Sequence, residues 1–159
     1  MRKTFLLLFL AIGFLSFKEL ENEGYIEKIT ETELKFVKEN YKWNSEEFII
    51  INFRQPKSSC HYDNYKNLKK SSEWWIKYYL EMELINVRNI FVYSDKEKAK
   101  KIIDRKNHFD DMNSLFLNKF FSKDKTCYGI LIINKNGDFQ KKAGEYTHEN
   151  IMELINNLK

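Results

Sequence analysis

The chain has 159 residues, with 27 basic against 23 acidic side chains for a formal charge of +4, and 16% of it is aromatic. That length makes one domain the default, and so small a positive excess excludes a nucleic-acid binder built on a concentrated basic face. Two cysteines and three histidines, with no CxxC or HxxxH pair, form no ligand set for a metal and imply no cofactor.

The first residues stand apart. After the basic start MRK, the stretch TFLLLFLAIGFLSF runs from Thr4 to Phe17 without a charge, and the polar KELENEG follows it. This pattern fits the apolar region of an export signal and is short of the roughly 20 residues that span a bilayer. The chain is therefore expected to be exported, to the periplasm or beyond. Residues 1–20 act as a signal peptide or, if uncleaved, as an N-terminal anchor, which would be the chain's sole membrane contact. Without Arg2 and Lys3 the balance is 25 basic to 23 acidic residues.

Residues 21–47 read as a helical N-terminal extension. Thr30 and Glu33 make a capping box at the head of TETELKFVKEN, where Leu34, Phe36 and Val37 mark an apolar stripe. A domain over 48–159 follows. EEFIIINF is a strand buried on both faces. RQPKSSCH is a loop, and a helix runs from about Asp63, its N-cap, to about Leu84. VRNIFVYS is a second buried strand. DKEKAKKIIDRKNHFDDMNSLFLNKFF is helical in two parts, broken near Asn107 to Asp110. YGILIINKNGDFQKKAG is a hairpin turning at Asn136-Gly137, a pair suited to positive φ. THENIMELINNLK closes the chain as an amphipathic helix that starts at Thr147 or His148 and buries Ile151, Leu154, Ile155 and Leu158.

Both β-α-β connections are long enough for crossovers, so the first three strands of this domain are expected to be parallel and the fourth antiparallel. An α/β architecture with helices on both faces of a mixed four-stranded sheet results. IIINF resembles the strand that precedes a thioredoxin active site, and GILIINKNGDFQKKAG resembles the later hairpin of that fold. From about Phe48 to Lys159 the chain thus resembles the thioredoxin-like superfamily. The resemblance implies the strand order 2-1-3-4 within the domain. The chain departs from the pattern at two places. The active-site loop has one cysteine, Cys60, with Lys57 and Asp63 where a CxxC partner would stand. Gly129 occupies the place of the family's cis-proline.

The resemblance also places Cys60 and Cys127 on neighbouring loops. Three readings of Cys60 stay open. It is a thiolate favoured by a helix N-terminus, Lys57 and His61, with Cys127 as resolving thiol; it is bridged to Cys127; or it is an inert free thiol. His61, His108 and His148 carry no catalytic argument, and Asp110-Asp111 and Glu46-Glu47 read as solvated or capping pairs. In WW and YY of the long helix, the spacing sends Trp75 and Tyr79 inward and leaves Trp74 and Tyr78 at the surface. Two functions follow. One is an exported, non-catalytic binding or structural module with an envelope protein as partner. The other is an atypical envelope thiol-disulfide oxidoreductase that acts on a thiol substrate.

Overall fold

A capping box starts the first helix of the computed structural model, which is described for residues 26–57, 59, 60, 64 and 66–159. The Thr30 hydroxyl accepts from the Glu33 amide, and the Glu33 carboxylate accepts from the Thr30 amide at 2.8 Å, so two orphan donors at the helix end are satisfied. Helix α1 (Glu31–Asn40) follows, preceded by the two-residue strand β1 (Glu27–Lys28). The export segment and the Asp63 cap lie outside the described residues.

The sheet is built around β2 (Phe48–Arg54), whose seven residues are all buried. β3 (Val87–Tyr93) pairs with it in parallel on one side, and β5 (Tyr128–Asn134) pairs antiparallel on the other. β6 (Asp138–Ala143) lies beyond β5, and β4 (His108–Asp110) lies beyond β3. The full order is β1-β6-β5-β2-β3-β4. The expected α/β class, a mixed sheet flanked by helices, is met, and so is the order β3-β2-β5-β6 within 48–159.

The strand count and one direction differ from expectation. Six strands form, because β1 and β4 add an edge each. β4 lies where the sequence suggested a break between helices. The third main strand, β5, is antiparallel to β2 rather than parallel. The reason is the path between 111 and 127. β4 ends at the same end of the sheet as β2 and β3, and the chain stays at that end through a 3-10 turn (Met112–Ser114) and a π-helical turn (Leu117–Phe121). β5 therefore enters beside Arg54, the last residue of β2, with Tyr128 opposite it.

The helices between the strands are shorter than the periodicity suggested. Helix α2 covers Leu68–Leu80, and α3 is only Lys96–Ala99, capped by Asp95. Positive φ at Glu83 and Asn86 turns the chain out of α2 into β3. In the hairpin, only Gly137 takes a positive φ, +90°, while Asn134 accepts from its amide at 2.9 Å. Asn136 does not share that conformation, so the turn is not the doubly left-handed kind that an Asn-Gly pair suggests. Helix α4 (His148–Asn156) begins at the expected Thr147 cap and buries Ile151 and Ile155.

Alternation along β2 creates two cores. Ile49, Ile51 and Phe53 face α1 and the 112–121 turns, where Val37, Phe116 and Phe121 are buried. Phe48 and Ile50 face α2 and α4, with Trp75, Tyr79, Ile151 and Ile155. The first core also takes Ile29, Tyr41 and Trp43 from the segment read as an extension. Tyr41 fixes it further: its hydroxyl donates to the Asp110 carbonyl at 3.3 Å and accepts from the Met112 amide at 3.0 Å.

Candidate functional site around Cys60 and Cys127

Where β2 ends, its pairing with β5 continues for one more step, as the Gln55 amide donates to the Cys127 carbonyl at 2.7 Å. The chain then leaves the sheet through Pro56, and a short turn closed by the Cys60 amide on the Lys57 carbonyl brings Cys60 back. The two cysteines meet as a disulfide, with Cα atoms 5.9 Å apart across 67 positions of sequence. The expected adjacency of the loops holds, and the bond removes the free inert thiol from the three readings. Cys60 is 3% exposed and Cys127 is half-buried.

Gly129 sits in β5 opposite Phe53 and Ala143. A Cβ there would lie 2.6 Å from the Phe121 ring and 3.0 Å from the Lys142 carbonyl. Glycine is needed here because the Phe121 ring lies against the β5 backbone, where it stacks on Phe53 with centroids 4.7 Å apart.

The least expected residue at this end is Arg54, which is 1% exposed. Its guanidinium lies 4.3 Å from the Trp75 ring centroid and 5.2 Å from that of Tyr128, and it donates to the Tyr146 hydroxyl at 3.1 Å. That hydroxyl donates to Asn52 Oδ1 at 2.8 Å, as does Tyr79 at 2.6 Å, and the Asn52 amide donates to Asn89 Oδ1 at 2.7 Å. Burial pushes the Tyr79 phenol up, and neighbouring Tyr146 adds to this against the opposing charge of Arg54. Such a network fixes a unique arrangement of β2, β3, α2 and the start of α4. Its sequence signal is slight: Asn52 and Arg54 are the two polar residues in an otherwise apolar strand.

A second polar chain joins α2 to β4. Ser72 Oγ lies 2.6 Å from His108 Nε2, and His108 Nδ1 lies 3.0 Å from Asp104 Oδ2. An ionised Asp104 calls for the proton on Nδ1, so that Nε2 accepts from the serine hydroxyl. This is the hydrogen-bond order of an acyl-transfer relay. Ser72 and His108 are both buried, however, at 6% and 5% exposure, so the hydroxyl is closed between α2 and β4 and the chain of bonds is a latch. Sequence reading placed His108 at a helix boundary; it begins a strand instead.

Asp104 is the anchor of that latch. Burial alone would raise its pKa, but the His108 ring and the amides of His108, Lys106 and Asn107 outweigh burial and hold the carboxyl well below its usual range. A group depressed in this way adds stability above its unfolded pKa of about 3.9, and the gain is lost as pH falls toward the folded value. Asp104→Asn is therefore expected to lower the melting temperature at pH 7. The gap to the native chain should close as thermal melts move below about pH 4. A gap independent of pH would mean that the carboxylate's charge plays no part.

The other singled-out residues are dispersed. Trp75 and Tyr79 are buried and Trp74 is 56% exposed, stacked on Tyr78 with centroids 5.1 Å apart. His148 opens α4 against Tyr78. Asp111 accepts from the amides of Phe116 and Leu117, and Glu46 from that of Asn44, so each carboxylate is held by backbone amides near it in sequence. His61 lies outside the described residues.

No family model and no curated protein matches the chain. Among solved structures it is similar to the crystal structure of StoA from Bacillus subtilis, at 16% identity over 70% of this chain and 84% of that one, with a TM-score of 0.47.

Proposed function

We propose that this chain is an exported thioredoxin-like domain that serves as a non-catalytic binding or structural module, with an envelope protein as its partner. The observation that carries the reading is that both cysteines are consumed in one bond between two loops, with Cys60 almost wholly buried. Reduction of a substrate disulfide needs a free thiolate to attack, and then a second thiol held close to release the mixed disulfide. The oxidised chain offers neither, and its active-site loop has no second cysteine to replace Cys60.

The alternative is an atypical thiol-disulfide oxidoreductase, favoured by the partial exposure of Cys127. With Cys60 buried, the roles expected of the two cysteines are exchanged: a substrate thiolate would attack Cys127 Sγ, breaking the bond and releasing Cys60 as a thiolate. A second substrate thiolate would then attack the substrate sulfur of the mixed disulfide and release Cys127. The substrate is thereby oxidised by two electrons, and the cysteine pair is reduced.

Insulin reduction in dithiothreitol separates the two. The expected result is no acceleration over dithiothreitol alone, with no titratable thiol in the oxidised denatured chain and both thiols after reduction. Thioredoxin-like rates, abolished by both Cys60→Ser and Cys127→Ser, would establish the oxidoreductase instead. Export is tested separately by fusing residues 1–25 to a reporter active only outside the cytoplasm. The fusion should be active, and a stable but silent one would remove the envelope from the proposal.

A further inference from the structure

β3 has seven residues, but β4 pairs with only the last three of them, Phe91 to Tyr93. The chain turns away before β4, where Arg105 has a φ of +53° and Asp104 caps the amides of Lys106, Asn107 and His108. Hydrogen bonds fix which way the rest of β3 points. The Ser94 amide, after the strand, donates inward to Arg54, while the Phe91 amide donates outward to the Asn107 carbonyl. Val87 and Asn89, in phase with Phe91, therefore turn their backbone groups outward, beyond the reach of β4.

A groove of about 260 Å³ lies beneath this stretch. Ile76, Leu80 and Leu84 line it from α2 and the turn after it, and Val87, Asn89 and Phe91 line it from β3. This is the space that the side chains of a longer β4 would fill. The groove is open to solvent at Leu80, which is 72% exposed. Glu83 is the one carboxylate among the lining residues.

We propose that this edge is a docking site for an extended peptide of a partner protein, which adds to β3 end to end with β4. The outward backbone groups of Val87 and Asn89, which have no strand partner among the described residues, select a strand rather than a helix, because a helix has no free row of donors and acceptors to offer. Alternate residues of the added strand point into the groove and are apolar. Glu83 favours a lysine or arginine in the segment by charge complementarity. The proposal rests on the reading of the chain as a binding module and supplies its surface.

The test is selection of random phage-displayed peptides on the oxidised full chain, followed by binding measurements on the variant Leu80→Asp. Leu80 is exposed, so the variant keeps its fold. Enriched peptides should alternate apolar residues, slow amide exchange at Val87 and Asn89, and bind Leu80→Asp about tenfold more weakly or worse. Peptides that bind the variant equally well would overturn this site and leave the module reading standing. No enrichment would overturn the site as well, and thioredoxin-like insulin reduction in the same preparation would remove the module reading with it. A native dimer that Leu80→Asp converts to a monomer would assign the edge to a second copy, against the proposal.

Discussion

Replacing both Cys60 and Cys127 with alanine is expected to destabilise the chain by about 4 kcal/mol, the chain-entropy value for a closed loop of this length. The bond closes a loop with a sequence separation of 67, within which lie α2, β3, β4 and both irregular turns. Breaking it leaves the sheet pairing of β2 with β5 in place and acts mainly by freeing the unfolded chain. Domains of this kind are stable by about 5–15 kcal/mol, so the variant should approach the threshold of folding. Thermal melts should fall by roughly 15 °C at this chain length. Reduction of the native protein should give the same fall. A loss below about 1 kcal/mol, less than the chain-entropy value by several kcal/mol, would show that the loop after β2 is held by other contacts.

What the sequence disclosed were features whose cause is local. Thr30 with Glu33, the run FIIINF, Gly137 in its turn and Thr147 at its cap each act through neighbours within a few residues, and each appears in place. The features it concealed depend on distant partners. β4 has three residues in the polar stretch DRKNHFDD. It forms because Asp104 gathers three amides and because His108 meets Ser72, 36 positions earlier, on α2. The direction of β5 depends on the route from β4 through two irregular turns, and neither turn has a hydrophobic period. Arg54 ends a strand and reads as its polar terminus. Its burial requires Trp75, Tyr128 and Tyr146 from three different parts of the chain. Cys60 and Cys127 were placed together through the resemblance, since no local pattern links residues so far apart.

Ile50→Asp is expected to leave the chain unfolded at neutral pH. Ile50 is fully buried at the centre of β2, paired with Asn89 on one side and Ile132 on the other. Its side chain belongs to the core under α2 and α4, with Trp75, Ile130 and Ile151. Removing an aliphatic side chain from such a site costs about 2–5 kcal/mol. A carboxylate placed there without a partner costs several kcal/mol more unless it binds a proton. Together these reach the range of total stability, about 5–15 kcal/mol. The second cost has a pH signature. Burial raises the folded-state pKa of the new aspartate above its unfolded value of about 3.9. Between those values the folded chain binds more protons, so stability falls as pH rises. Ile50→Asn leaves a polar group without the charge and should lack that added dependence. Circular dichroism at about pH 4.5 and at neutral pH, either side of much of that titration, should show Ile50→Asp losing more folded signal on neutralisation than Ile50→Asn. Equal changes in the two variants would mean that the aspartate reaches water, and that position 50 does not lie in the closed centre of the sheet.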